Sequence, residues 1–116
     1  LVVPKALAIG PKIQSTTERA YKAGVNIAFG SDAGVFPHGN NAKEFIYMNE
    51  AGIPIIECLQ AATVINAKIL SLENEIGQIE KDFIADIVAT KLNPEDDIST
   101  LENIVFVMKE GVIYKN

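Results

Sequence analysis

Hydrophobic and polar positions change their spacing along this chain, and the spacing predicts helices first and strands last. From Ser15 to Ala23 the pattern is helical, with Ser15 or Thr16 available as a cap and Gly24 as the stop. Val25 to Gly30 is apolar with little alternation, which is typical of a strand that is covered on both faces in a parallel sheet.

A second helix is predicted after the loop 31–40. Asn41 to Glu44 has the form of a capping box, in which Asn41 accepts from the first turn and Glu44 reaches back. The helix ends at Gly52 and turns its apolar side chains inward. These side chains are Phe45, Ile46 and Met48.

Pro54 suits the first turn of a third helix, because no donor is needed there. The apolar stripe of this helix has a helical period and is flanked by Ile56, Thr63 and Leu70. Its members are Ile55, Leu59, Ala62, Asn66 and Ile69. We expect Leu59, Ala62 and Ile69 to face a core. Asn66 interrupts the stripe, and we interpret it as a polar side chain that bonds to backbone and not as a ligand.

Beyond Leu72 the pattern predicts short strands. Residues 84–90 form the best of them, residues 93–97 read as a turn, and Glu110-Gly111 lies between two apolar runs as in a hairpin. The order of elements predicts an α/β unit followed by a small antiparallel sheet, with the boundary near residues 73–76.

Composition limits the classes of function. The 116 residues are 48% apolar, with a formal net charge of −5, which fits one modest folded domain. Residues 1–70 hold six basic and five acidic groups, and residues 71–116 hold four and ten. Neither part has the basic stripe that nucleic acid requires. No apolar run approaches the roughly 20 residues of a membrane span. The single cysteine, Cys58, excludes an internal disulfide, and we interpret it as a small buried hydrophobe.

Asp32 is the candidate functional residue that the pattern indicates. It follows the predicted strand directly, between Gly30 and Gly34, at the strand end where parallel α/β sheets bind ligands. An aspartate there is also a common turn residue. On position alone both interpretations stay open.

The string GVNIAFGSDAGVFPHGNNAKEF, residues 24–45, resembles the last barrel strand and following loop of the metal-dependent amidohydrolase superfamily. The nearest branch is the group of Xaa-Pro dipeptidases and arginine carboxypeptidases, related to imidazolonepropionase. Residues 50–72 resemble the helix after that strand, residues 76–89 the return into a small β-sandwich, and the last twelve residues its closing hairpin. The resemblance implies that residues 1–73 are the last elements of a (β/α)8 TIM barrel and residues 74–116 the C-terminal β-sandwich strands.

The resemblance also implies roles for two residues. Asp32 matches the aspartate that ligates one metal of a mono- or binuclear site, zinc or another divalent ion, and that takes a proton from the metal-bound hydroxide. His38 lies in the adjoining loop, where it is either a substrate contact or an exposed loop histidine. Asp82 and Ser71 stand where the family commonly has glycine, and Pro54 where it commonly has threonine. We expect Asp82 at a turn with positive φ.

The family's other metal ligands are a His-x-His pair, a carboxylated lysine or glutamate, and two further histidines, all on earlier strands. This chain has one histidine. We therefore expect it to be the C-terminal portion of a longer protein, inactive by itself and holding no metal alone. We also expect it to associate with the missing segment or with copies of itself. A cytoplasmic location is favoured, and a missing N-terminus is free to carry a signal.

Three functions stay open. The first is hydrolysis of a peptide bond, with a small peptide or amide as substrate. The second keeps the superfamily and changes the substrate to a cyclic amide, as in imidazolonepropionase. The third is a small α/β module without catalysis that forms oligomers. Histidines encoded upstream of Leu1 would exclude the third.

Overall fold

The computed structural model describes residues 2–34 and 36–116, with side chains from Ile9 onward. Its first element is the helix α1, Val2–Lys22, which is longer than the predicted helix and contains Pro11. The expected caps do not cap it: the hydroxyls of Ser15 and Thr16 donate to the carbonyl of Lys12 one turn earlier. Gly24 ends the helical region as predicted, at φ 78°.

Residues 25–30 form a segment without regular secondary structure and not a paired strand. Among the described residues they pair with no other strand, and the three strands of the sheet lie elsewhere in the chain. This stretch instead packs on a helix, since the N–H of Phe29 donates to the carbonyl of Ala61 at 3.3 Å. The prediction of a strand at this position is therefore wrong for the structure as it stands.

The second helix, α2, runs over Lys43–Glu50 and has no side-chain cap. The capping-box prediction is wrong because Asn41 uses its amide elsewhere, accepting from Gly39 and donating to Ser31. The predicted inward side chains are covered: Met48 is buried, and Phe45 and Ile46 are half-buried. The helix gives way to a turn at Gly52, where φ is 90°.

A longer helical stretch follows in three parts. These are α3, Ile55–Gln60; a π-helical turn, Ala61–Ile65; and α4, Asn66–Ile69. Pro54 is the N-cap of α3, one position before the predicted place. The predicted core face is wrong at Ile69, which is 61% exposed, and Leu59 and Ala62 are only half-buried.

The buried face of this stretch consists of smaller side chains, namely Cys58, Ala61 and Ala67. Small residues are required there because backbone approaches closely. The Ala61 carbonyl accepts from Phe29 in the segment 25–30, and a Cβ added to Gly77 would lie 3.0 Å from the Ala67 Cβ. The prediction that Cys58 is a buried hydrophobe is confirmed.

The C-terminal part is a three-stranded antiparallel sheet in the order β1-β2-β3. Its strands are β1, Ile87–Thr90; β2, Ile104–Lys109; and β3, Val112–Lys115. The hairpin at Glu110-Gly111 is confirmed, with φ of 51° and 79° as a two-residue turn of this kind requires. A 3₁₀ helix, Ile98–Glu102, precedes β2.

The main core lies between the helices, the segment 25–30 and the 3₁₀ helix. Met48, Ile53, Cys58 and Ala61 are buried, and partly buried side chains pack around them. These are Tyr21, Ile27, Phe29, Phe45 and Ile98. The predicted division of the chain at residues 73 and 74 stays a prediction.

The expected departures from glycine are visible in the backbone. Asp82 has φ of 70° and Ser71 has φ of 59°, the left-handed region that glycine enters at little cost. The prediction of positive φ at Asp82 is confirmed. No helix of the described residues is both long and apolar enough to cross a lipid bilayer.

Candidate functional site

Asp32 lies two residues after the segment 25–30, in a strained backbone conformation. Its φ is 48°, and it is exposed. A residue other than glycine in this region costs on the order of 1–3 kcal/mol and persists only when its surroundings hold it there. Such strain is concentrated at functional sites. The contacts of the residues before and after Asp32 are therefore what holds it in this conformation.

Phe29 anchors the chain three residues before Asp32. Its N–H donates to the Ala61 carbonyl, and its own carbonyl accepts a 3.0 Å hydrogen bond from the amide nitrogen of Asn66. Its ring stacks on Phe45, with centroids 4.3 Å apart. The interpretation of Asn66 as a polar side chain bonded to backbone is confirmed. The interruption of an apolar stripe was the sequence signal for it.

Asn41 holds the loop 31–40 at both of its ends. Its amide nitrogen donates to the Ser31 hydroxyl at 2.9 Å, and its amide oxygen accepts from the Gly39 N–H at 3.3 Å. Ser31 precedes Asp32, and Gly39 follows His38. One side chain therefore ties together the two ends of the loop that carries both candidate residues. Sequence reasoning missed this function of Asn41, because its amide was assigned to the helix cap.

His38 lies exposed in a turn of the same loop. No hydrogen bond or ion pair of its imidazole is found among the described residues. The structure therefore supplies no contact by which His38 acts, and its assignment to substrate binding stays a prediction.

A cavity of about 270 Å³ adjoins Ser31. It is lined by Ser31, Phe36, Asn40, Asn41, Lys43, Glu44 and Tyr47. Burial raises the pKa of the Glu44 carboxyl above its ordinary value. This wall mixes aromatic surface with amide and charged groups, as small-molecule sites commonly do.

The donors present do not make up a complete metal site. Catalytic zinc generally takes three protein ligands. No three histidine, cysteine, aspartate or glutamate side chains come together within residues 9–34 and 36–116, for which side chains are described. Cys58 is not an available thiolate, because burial, with the charge of Glu57, raises its pKa to about 11. The Asp32 carboxylate is one suitable oxygen donor, and a complete site would need ligands from other segments.

The chain belongs to the Amidohydrolase family, whose model matches residues 3–115. It resembles a C-terminal portion of such proteins. A crystal structure described as a Xaa-Pro dipeptidase with methionine bound in the active site is 50% identical to it, with a TM-score of 0.92. The match covers 97% of this chain and 28% of that one.

Two further relatives extend the comparison. The crystal structure of ochratoxinase from Aspergillus niger is 30% identical, with a TM-score of 0.80, covering 97% of this chain and 27% of that one. A 5-methylthioadenosine/S-adenosylhomocysteine deaminase from Caldanaerobacter subterraneus is 33% identical in an alignment of length 96 that covers 70% of this chain and 22% of the relative. The chain thus spans between a fifth and a third of the length of these relatives.

Proposed function

We propose that this chain is the C-terminal part of a hydrolase that cleaves the peptide C–N bond of Xaa-Pro dipeptides, with Asp32 as the proton-transfer residue. The substrate class rests on the likeness to the Xaa-Pro dipeptidase structure, which is 50% identical over nearly the whole chain. The residue assignment rests on one observation of the structure. Asp32 has a strained backbone two residues after the segment 25–30, with Asn66 bonded to the Phe29 carbonyl and Asn41 bonded to the Ser31 hydroxyl just before it.

The proposed chemistry uses the carboxylate as a shuttle. Asp32 takes a proton from the water whose oxygen attacks the carbonyl carbon of the peptide bond. When the tetrahedral intermediate breaks down, Asp32 gives this proton to the nitrogen, and the C–N bond breaks. The products are the free amino acid and proline, and the carboxylate returns to its charged form.

In this proposal the active protein contains segments beyond these residues. One carboxylate cannot bind and orient both a substrate and a metal, so any further ligands, and most substrate contacts, come from other segments. We expect residues 1–116 alone to hydrolyse no Xaa-Pro dipeptide and to retain no stoichiometric zinc after dialysis. Adding a separately expressed N-terminal segment should restore both properties if the pieces associate.

Hydrolysis of a different C–N bond is the second candidate. It is favoured by the relatives, which are described as an ochratoxinase and as a deaminase. It also includes the cyclic amide that the resemblance to imidazolonepropionase implies. The residues of this chain do not separate these substrates, because substrate selection in this proposal lies on other segments.

A substrate panel tests the proposal. The full-length protein is assayed with Met-Pro, Ala-Pro, a peptide ending in arginine, imidazolonepropionate and 5-methylthioadenosine. The proposal expects release of proline from the dipeptides with the highest kcat/KM in the panel. Ammonia release from 5-methylthioadenosine, or opening of the cyclic amide, with inert dipeptides would replace the proposed substrate by the second candidate. No turnover of any substrate by a folded full-length protein would favour a module without catalysis.

A further inference from the structure

The π-helical turn Ala61–Ile65 aligns two groups that bind the same residue. Residues five apart in a straight α-helix point about 140° away from each other around the axis. In a π turn the hydrogen bonds run between residues five apart, so such residues come close to one face. Ala61 and Asn66 are five apart across this turn. Both contact Phe29, one through its carbonyl and one through its side-chain amide.

This arrangement fixes the direction in which the chain leaves Phe29. The N–H and the carbonyl of Phe29 are both held against the helical stretch, so the peptide plane after Phe29 has little freedom to rotate. Only Gly30 and Ser31 separate this plane from Asp32. The carbonyl of Phe29 is the nearest backbone group upstream of Asp32 that a side chain holds.

We propose that Asn66 is a positioning residue for the Asp32 carboxylate. By holding the Phe29 carbonyl it sets the path of Gly30 and Ser31 and keeps Asp32 in its left-handed conformation, aimed at the reacting atoms. This inference rests on the proposed role of Asp32. It adds a residue 34 positions away, on a different element, whose amide bonds to Phe29.

The chain offers a matched control for this role. Asn49 is also half-buried, and its amide nitrogen donates a 3.0 Å hydrogen bond to a backbone carbonyl, that of Ile53. The two bonds have the same length and type, and that of Asn49 involves no residue of positions 25–40. Asn66→Ala and Asn49→Ala should therefore cost similar stability and differ in catalysis.

The experiment measures kcat, KM and the urea midpoint of the full-length protein for Asn66→Ala, Asn66→Asp, Asn49→Ala and Asp32→Asn. Substrates are Ala-Pro and its analogue with 4-fluoroproline, whose less basic nitrogen needs the transferred proton less. We expect both Asn66 variants to lose about 10- to 100-fold in kcat with little change in KM, because a shift of about 1 Å in a reacting group costs this much. The loss should be smaller with the fluorinated substrate.

The variants distinguish the possible failures. Wild-type kcat for Asn66→Ala with an inactive Asp32→Asn would overturn the positioning role and leave the proposed function standing. An active Asp32→Asn would overturn both. Equal kcat losses in Asn66→Ala and Asn49→Ala, or equal losses on both substrates, would assign Asn66 to general stability. Failure of both Asn66 variants to fold, where Asn49→Ala folds, would do the same.

Discussion

The side-chain amide of Asn41 donates a 2.9 Å hydrogen bond to the hydroxyl of Ser31, ten residues earlier in the chain. Because its oxygen also accepts from the N–H of Gly39, Asn41 closes the loop 31–40 on itself. Together with the bond from Asn66 to the Phe29 carbonyl, asparagine side chains hold Phe29 and Ser31 before Asp32 and Gly39 after it. The carboxylate lies exposed on a loop whose backbone is nevertheless held at two points.

The Ser31–Asn41 bond is expected to appear as an energetic coupling. In the full-length protein, Ser31→Ala and Asn41→Ala should be non-additive by about 0.5–1.5 kcal/mol in the free energy of unfolding, the usual net contribution of such a bond. A double-mutant cycle from urea denaturation measures this coupling. Strictly additive effects would show that the bond contributes nothing in solution.

Gly77 and Gly24 form a natural pair for testing close packing. Both have positive φ, 87° and 78°, but a Cβ at Gly77 would lie 3.0 Å from both Ala67 Cβ and the Thr63 carbonyl oxygen, whereas one at Gly24 meets nothing within 4 Å. We expect Gly77→Ala to destabilise by about 1–3 kcal/mol more than Gly24→Ala, because overpacking adds to the backbone strain. The difference in urea midpoint at unchanged slope measures it, and equal effects would contradict the packing at Gly77.

Ser71 and Asp82 carry backbone strain without an evident site. Their φ values are 59° and 70°. Ser71→Gly should stabilise the protein by roughly 0.5–1 kcal/mol. This is the net effect of two terms: the substitution relieves the left-handed strain, and the greater entropy of glycine in the unfolded chain offsets part of that gain. Asp82→Gly should gain less, since aspartate tolerates this region better. Ser71→Ala is the control and should give no gain in Tm. A gain from alanine equal to that from glycine would show that strain is not the cause.

Asp86 makes the stability of the sheet depend on pH. The Lys109 ammonium donates to its carboxylate at 2.8 Å and the Glu110 N–H donates at 2.7 Å, and these bonds hold the pKa of Asp86 below its ordinary value. A carboxyl with a lowered folded pKa stabilises the protein above its unfolded pKa of about 3.9 and loses this contribution as the pH falls through the folded pKa.

As the pH falls from about 6 to about 2.5, the free energy of unfolding of Asp86→Asn should therefore decrease less than that of the wild type. This range brackets the pKa of aspartate in the unfolded chain. Urea midpoints across this range test the expectation. Lys109→Met removes the main cause of the shift and should also flatten the dependence. Parallel curves for the wild type and both variants would contradict the role of this pair.

The features predicted correctly are those that neighbouring residues determine. The hairpin at Glu110-Gly111 needs two residues of positive φ between apolar runs, and the stop at Gly24 needs one. The burial of Cys58 and the backbone bond of Asn66 followed from the apolar surroundings of each residue. Each of these is visible within a few residues of sequence. Positive φ at Asp82 came instead from the resemblance, since the family commonly has glycine at that position.

The features that failed depend on distant partners. Asn41 bonds to Ser31 and does not form the predicted capping box. Residues 25–30 pack on a helix, whereas the prediction was pairing with another strand. The stripe through Ile69 assumed a regular helix, but the π turn and the close approach of Gly77 select smaller residues for the buried face. Spacing alone does not reveal these contacts. The role of Asp32 itself stays a prediction from position and resemblance.

Turnover by Asp32→Asn tests the central claim most directly, and Asp82→Asn is its control. Both aspartates are exposed and both have positive φ, 48° and 70°, so the two substitutions disturb the backbone alike. In the full-length protein assayed with Ala-Pro, we predict that Asp32→Asn lowers kcat by about 10²–10⁴-fold, as loss of a proton-transfer group does. Asp82→Asn should stay close to wild type, and both should keep the wild-type Tm. Near-wild-type kcat for a folded Asp32→Asn would contradict the account.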